Sequence, residues 1–323
     1  MVQLFVAGDQ VVANNGHLQI LRRLAGEWVE IEVQPQGFLA WGNWDFRPAG
    51  QPHNLPEEGE LYGRLPLPLR PAQDGAHVWE LLVRLRDALA ESGAGTDFIL
   101  TEQNSNSYIR TLLYIIGDGR DWSAKFGDVG LTAFPGFARN VLFGVEVDGE
   151  WQRGLSLDVT GTVGNDVIRA GLARDRLSGA AGNDTLVGSG GADTLSGGAG
   201  ADVLRAGRGA DVVTGGAGAD LIGLGRDVAR DTVVLRAVSD SATGAADSLS
   251  GFDPSRDVID LRRIDADADL PGNQSLHFGP GAVWFDTDGA DTLLRADVTG
   301  DGAADLEIRL LAVTGLSADN LLL

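Results

Sequence analysis

The chain shows two patterns of apolar and polar positions, and the change falls near residue 160. Before it, apolar residues come in irregular runs of ordinary length. His17 to Leu24 and Glu27 to Gln34 read as two strands around an Ala25–Gly26 turn. Val78 to Leu89 carries apolar residues at helical spacing and stops at Gly93. Ser107 to Ile116 is a second predicted helix, ended by Gly117. Pro48 to Pro71 holds six prolines and predicts a loop with short extended pieces. Six of the seven Trp lie in this half, at 28, 41, 44, 79, 122 and 151. The first half therefore reads as an α+β domain over 1–157.

After Gly161 a period of nine takes over. The units are GTVGNDVIR (161–169), AGLARDRLS (170–178), GAAGNDTLV (179–187), GSGGADTLS (188–196), GGAGADVLR (197–205), AGRGADVVT (206–214) and GGAGADLIG (215–223). The sixth position is always Asp: Asp166, Asp175, Asp184, Asp193, Asp202, Asp211 and Asp220. The eighth is always aliphatic: Ile168, Leu177, Leu186, Leu195, Leu204, Val213 and Ile222. The unit 224–232 has Ala229 where Asp belongs, so the array fades there. Each unit predicts a three-residue strand with its middle side chain inward, after a six-residue turn whose glycines permit positive φ. Two units complete one coil. Asp166, Asp184, Asp202 and Asp220 then line one edge, and Asp175, Asp193 and Asp211 the other.

Stacked like charges repel unless a cation lies among them. Carboxylates and turn carbonyls offer the oxygen-only shell of six to eight ligands that Ca²⁺ prefers, and that Mg²⁺ fits less well. A glycine-rich linker with solvated Asp is the bland alternative, and seven matches in one frame argue against it. Unit 170–178 is the weakest, with Ala173 at a turn Gly and Arg174 beside Asp175. The repeat G-G-x-G-x-D-x-U-x is identified as that of RTX proteins, which form a calcium-binding parallel β-roll. The resemblance implies several bound Ca²⁺ ions and a folding step coupled to metal binding.

Residues 231–323 resemble the C-terminal domain of serralysin-type RTX proteins. The matching stretches are DSLSGFDPSRDVIDLRRIDAD (247–267), DVTGDGAADLEIRL (297–310) and LSADNLLL (316–323). The resemblance implies a β-sandwich-like cap over 233–323, next to a roll over 158–232. It also implies export by type I secretion machinery that reads an uncleaved C-terminal signal. Met1 to Ala7 lacks the basic flank and apolar run of a cleaved leader, consistent with that expectation. Asp297, Asp301 and Asp305, and separately Asp286, Asp288 and Asp291, are candidates for additional calcium loops, with plain Asp/Gly turns as the alternative.

Composition narrows the function. The 323 residues hold 46 acids, 25 bases and no cysteine, a net charge of −21. That balance disfavours nucleic acid and anionic membranes. The absence of cysteine excludes disulfides, thiolate metal sites and a cysteine nucleophile. No apolar run reaches the length of a transmembrane segment. Serralysins carry a His-Glu-x-x-His zinc protease site. His17, His53, His77 and His277 do not form one, so this is not a zinc metalloprotease.

In the first half, Gln103-Asn104-Ser105-Asn106-Ser107-Tyr108 precedes the second predicted helix, and Gly16-His17-Leu18 opens a strand. This order resembles circularly permuted papain-fold hydrolases and acyltransferases, with Ser105 where those families have Cys. The resemblance implies Ser105 as nucleophile and His17 as base, acting on an amide or ester bond of a peptide or other substrate. If Leu24 faces Glu27 in the hairpin, His17 pairs with Gln34 and Gln19 with Glu32, so that Gln34 or Glu32 orients the imidazole. Helix capping by Asn104 and Ser105 is the structural alternative. The expected function is thus a secreted calcium-binding protein. Its N-terminal domain is either a hydrolase or acyltransferase, or a non-catalytic adhesin-like module that binds a cell-surface glycan or a partner.

Overall fold

The computed structural model describes residues 154–264 and 282–323. In the first half it describes segments 2–9, 15–24, 27–31, 33–35, 44–46, 61–66, 75–91, 111–112, 114–116, 145–147 and 150–152. The chain divides into two units, Met1–Val159 and Thr160–Leu323.

In the first unit, β1 (Val2–Asp9), β2 (Asn15–Leu24) and β3 (Glu27–Ile31) are followed by β4 (Val33–Pro35), β5 (Trp44–Phe46) and β6 (Leu61–Pro66). Four of them form a sheet in the order β3-β2-β1-β6, and β4 pairs with β5 in a separate ribbon. The Ala25–Gly26 hairpin has the expected register, from Leu24 opposite Glu27 to Ile20 opposite Ile31. The proline-rich stretch supplies β6, which joins β1. Helix α1 (Gly75–Glu91) contains the predicted Val78–Leu89 span. It buries Val78, Trp79, Leu81, Leu82, Leu85 and Leu89, one stripe at three- and four-residue spacing. Residues 111–112 and 114–116 are helical, inside the second predicted helix. A two-stranded ribbon follows, β7 (Val145–Val147) with β8 (Glu150–Gln152).

The second unit is built by alternation. Beyond β9 (Asp158–Thr160) come β10 (Val167–Arg169), β11 (Arg176–Ala181), β12 (Thr185–Gly190), β13 (Thr194–Ala199), β14 (Val203–Arg208), β15 (Val212–Ala217), β16 (Leu221–Gly223) and β17 (Thr232–Val234). Even-numbered strands form one parallel sheet and odd-numbered strands the other. Partners lie eighteen residues apart, as in Leu186 opposite Leu204 and Leu195 opposite Val213. The nine-residue period thus places consecutive units on opposite sheets and alternate units in register.

The C-terminal segment adds β18 (Asp247–Ser250), β19 (Val258–Asp260), β20 (Val283–Asp288), β21 (Asp291–Ala296), β22 (Leu306–Leu310) and β23 (Leu321–Leu322). The sequence anticipated a β-sandwich-like cap. The strands instead lengthen the two existing sheets, which run β10-β12-β14-β16-β18-β22-β21-β20 and β23-β19-β17-β15-β13-β11-β9. The eighth-position aliphatics explain why. Ile168, Leu186, Leu204 and Ile222 stack in one buried row that continues into Leu249 and Leu310. Leu177, Leu195 and Val213 stack in a second row that continues into Val233, Ile259 and Leu321. The last coil of repeats therefore ends on an apolar partner rather than on water.

The candidate calcium ladder

Each repeat aspartate is 1% exposed, so the acidic rows lie inside the turns and not on the surface. A carboxylate buried this deeply needs donors. They come from the neighbouring coil. The Asp166 N–H donates to Asp184 Oδ1 at 2.7 Å, Asp184 N–H to Asp202 Oδ1 at 2.7 Å, and Asp202 N–H to Asp220 Oδ1 at 2.8 Å. On the other edge Asp175 N–H donates to Asp193 Oδ1 at 2.9 Å and Asp193 N–H to Asp211 Oδ1 at 2.8 Å. The two rows are those that the sequence assigned.

The ladders run past the repeats. Asp220 N–H donates to Asp247 Oδ1, Asp211 N–H to Asp231 Oδ1 and Asp231 N–H to Asp257 Oδ1, each at 2.9 Å. Asp231, Asp247 and Asp257 were not identified from the sequence, because the spacing lengthens from eighteen residues to 20, 27 and 26. A smaller signal survives. All three open an Asp-x-aliphatic triplet: Asp231-Thr232-Val233, Asp247-Ser248-Leu249 and Asp257-Val258-Ile259. The first row then terminates on a neutral side chain, whereas in the second the Asp257 N–H donates to the backbone carbonyl of Asp253 at 2.9 Å. Ser241 Oγ accepts the Asp247 N–H at 2.8 Å and donates to Glu307 O at 2.6 Å. Asn320 Nδ2 donates to Pro254 O at 2.7 Å and to Asp257 O at 3.2 Å.

The second carboxylate oxygens are the chemical feature of the site. Oδ2 of Asp184, Asp193, Asp202, Asp211 and Asp220 is buried and has no hydrogen-bond partner. In Asp184, Asp193, Asp202 and Asp220 it points at the first residue of its own unit, which explains the glycine there. A Cβ on Gly188 would lie 2.5 Å from Asp193 Oδ2 and 2.6 Å from Ala206 O. Turn carbonyls face along the stack too. At Gly200, φ is +132°, and a side chain would collide with Gly182 O of the preceding coil.

Burial pushes the carboxyls up, to about 7 for Asp184, about 8 for Asp193 and about 6 for Asp211 and Asp220. Asp202 is raised by the same burial. Backbone donors lower each value, and carboxylates of adjacent coils raise Asp184, Asp193 and Asp220 further. Burial raises Asp231 to about 7 and Asp247 to about 8. The donor set is all oxygen, partly orphaned and short of positive charge, so it fits a hard cation such as Ca²⁺. Among the described residues no three His, Asp or Glu side chains gather at one point. A cation here would take one or two carboxylates and fill its shell with turn carbonyls.

The extra loops behave differently. Asp297 accepts from the N–H groups of Gly300 and Gly302, and Asp305 from those of Val298 and Thr299, so these carboxylates brace a turn. Asp286 pairs with Arg295, and Asp288 and Asp291 pair with Arg309. The turn and ion-pair alternative accounts for them.

In the first unit His17 sits on β2 opposite Ala7. The register extrapolated from Leu24 and Glu27 would set it against Gln34. However, β3 ends at Ile31, and Gln34 pairs with Asp45 in the β4–β5 ribbon. Ser105 and Glu32 lie outside the described residues.

An eighteen-residue coil, two parallel sheets and a buried Asp row at each edge define a parallel β-roll. Residues 160–195 and 187–222 match the family model of the RTX calcium-binding nonapeptide repeat (4 copies). These residues form an RTX calcium-binding β-roll. Similar solved structures include two subunits of the Azotobacter vinelandii mannuronan C5-epimerase. AlgE6R3 shares 25% identity at a TM-score of 0.30, over 51% of this chain and 76% of that one. AlgE6R2 shares 23% at a TM-score of 0.26, over 46% and 88%. No curated protein matches the chain.

Proposed function

We propose that this protein is secreted by a type I exporter and that its roll folds on Ca²⁺ outside the cell, where it carries the N-terminal unit. The unpartnered, buried Oδ2 atoms of Asp184, Asp193, Asp202, Asp211 and Asp220 carry this reading. Without cations these carboxylates oppose the fold. With Ca²⁺ held by them and by turn carbonyls, their charge is offset. A low-calcium cytosol would keep this half of the chain unfolded and fit for export, and external calcium would fold it. The test is circular dichroism of the full chain, which should gain β signal on adding Ca²⁺ and lose it in chelator. Export is tested separately, by recovery from the medium of a chain whose C-terminus is intact by mass.

For the N-terminal unit the proposal is amide or ester hydrolysis or acyl transfer, with Ser105 as nucleophile, His17 as base and Gln34 orienting the imidazole. It is supported by the resemblance around Gln103–Tyr108. Ser105→Ala should abolish turnover on an amide and ester panel and leave calcium binding intact. Pairing of Gln34 with Asp45 favours the second reading, a non-catalytic module that binds a glycan or partner at the cell surface. Under that reading Ser105→Ala costs only a helix cap, about 1 kcal/mol.

A further inference from the structure

Two turns at the end of the second Asp row share a motif that the nine-residue repeat lacks. They are Gly225-Arg226-Asp227-Val228-Ala229-Arg230-Asp231 and Gly251-Phe252-Asp253-Pro254-Ser255-Arg256-Asp257, G-x-D-x-x-R-D in both. One joins β16 to β17 and the other β18 to β19. The glycine and the ladder Asp are six positions apart, against four for Gly207 and Asp211 in a compact turn. The extra length brings an extra carboxylate. Asp227 accepts the Ala229 N–H at 2.7 Å, and Asp253 the Ser255 N–H at 2.9 Å, so both turns make the same local bond. Asp227 also accepts the Gly209 N–H of the preceding coil at 2.9 Å, and Asp253 pairs with Arg256.

The longer turns open a space between coils. In the compact turns a Cβ on Gly209 would collide with Gly191 O, and one on Gly218 with Gly200 O, so those turns stack in contact. Between turns 225–231 and 251–257 lies a cavity of about 430 Å³, bordered also by residues 311–313. Asp227, Asp231, Asp253 and Asp257 line it, against one basic residue, Arg226. Asp257 spends both oxygens on the N–H groups of Asp231 and Asp253. Asp231 does not. It is 5% exposed, and its Oδ1 accepts the Asp211 N–H, but its Oδ2 has no hydrogen-bond partner among the described residues. Burial raises Asp231 to about 7, and the charges of Asp211, Asp257 and Asp227 add to the effect. A turn carbonyl is at hand as well. Gly225 O points along the stack at Gly251, where a Cβ would lie 2.5 Å from it, and both glycines line the cavity.

We propose that this cavity holds a hydrated divalent cation of the Mg²⁺ class, bound directly by Asp231 Oδ2 and through water by Asp227. Among the described residues no three acidic side chains gather at one point, so water must complete a shell here. Ca²⁺ takes six to eight oxygens, whereas Mg²⁺ keeps several waters and needs only one or two carboxylates, which is what this cavity offers. A water fills about 30 Å³ of liquid, so a cavity of about 430 Å³ admits an ion with its whole water shell. Asp227 stands outside the ladder, at the place that Gly209 and Gly218 hold in compact turns. The proposal adds a second kind of cation to the calcium roll and requires only that the roll be folded.

The experiment uses the full chain, with Ca²⁺ held at the lowest concentration that gives the complete β signal. Mn²⁺, which shares the octahedral oxygen shell of Mg²⁺, is titrated in and followed by electron paramagnetic resonance. One Mn²⁺ should bind, broaden the amide NMR signals of 225–231 and 251–257 first, and be displaced by excess Mg²⁺. The β signal and the bound calcium should not change. Asp227→Asn should weaken Mn²⁺ binding roughly tenfold. If that variant does not fold, Leu311→Lys, which sets a positive charge on the exposed wall of the cavity, should weaken it by about as much. Asp301→Asn removes an exposed carboxylate that does not line the cavity and should leave affinity unchanged. No Mn²⁺ binding, broadening centred on the compact repeats, release of calcium by Mn²⁺, failure of Mg²⁺ to displace it, or undiminished binding by the folded Asp227→Asn or Leu311→Lys variant would each overturn the proposal.

Discussion

Protons should substitute for calcium in holding the roll together. The perturbation is a pH change in chelator. Unfolded carboxylates titrate near 3.9. In the folded roll, burial raises Asp184 to about 7 and Asp193 to about 8, with Asp211 and Asp220 at about 6. A pH unit of difference is worth about 1.36 kcal/mol per group. Keeping Asp193 charged at pH 8 therefore costs about 5 kcal/mol, Asp184 about 4 kcal/mol, and Asp211 and Asp220 about 3 kcal/mol each. Their sum matches or exceeds the whole stability of a typical domain, about 5–15 kcal/mol. The sign follows from the raised folded values. The contribution favouring the fold is fully present below about pH 4 and disappears as pH rises through 6 to 8. In chelator, the full chain should show β signal near pH 5.5 and lose it by pH 8.5. Calcium should restore it at pH 8.5. Calcium binding near pH 6 should release protons, seen as a dependence of calorimetric heat on buffer ionisation enthalpy. That dependence should vanish at pH 9. A metal-free roll equally folded at pH 5.5 and 8.5 would refute the reasoning.

Asp202→Ala should weaken calcium binding more than Asp175→Ala in paired titrations. Asp202 receives the Asp184 N–H and donates to Asp220, whereas Asp175 starts its row with a 3.3 Å contact from Gly171; an equal or reversed effect would count against the stacking frame. Ala180 adopts a φ of +77° at the position that Gly198, Gly207 and Gly216 hold in later units, so Ala180→Gly should stabilise the calcium-bound roll by about 0.5–1 kcal/mol in thermal melts, and a lower melting temperature would contradict this. Ser241→Ala should cost about 1–3 kcal/mol by orphaning the Asp247 N–H and Glu307 O, and protection in hydrogen exchange should fall first at 247–250; uniform loss across the roll would show that row one does not end there.

The roll was legible because its constraints repeat. Each unit must supply an inward aliphatic, an Asp whose Oδ1 reaches the previous coil, and small residues where a Cβ would meet an oxygen. Those demands recur every nine residues, so period alone assigned both Asp rows. The degenerate unit 170–178 was read as weak, yet Asp175 is as buried as its neighbours. Its turn keeps a small residue at 170 and glycine at 171, which is what the Asp175 carboxylate faces. Ala173 and Arg174 fall at positions that the ladder does not use. The first unit offers no such repetition. Its hairpin register was correct at Leu24 and Glu27, but a three-residue extrapolation to Gln34 failed when the strand ended at Ile31. Local pairing rules say which residues would be opposite, not how far the ladder runs.

The C-terminal extension shows what the nine-residue frame concealed. Past Ile222 the connections lengthen, one of them holding a 3₁₀ turn at Val238–Ser241, while Gly225 and Gly251 continue the stack of positive-φ glycines. A search for period therefore stops, although the physical unit does not. What each coil requires is an acceptor for the previous Asp N–H and, two residues later, an aliphatic for the buried row. The Asp-x-aliphatic triplets at 231, 247 and 257 meet both demands whatever the length of turn between them. Ser241 Oγ and the Asp253 carbonyl then end the ladders with neutral acceptors, where a further carboxylate would have added charge with no next coil to share it. The family pattern describes the economical version of the coil; the triplet describes the coil itself.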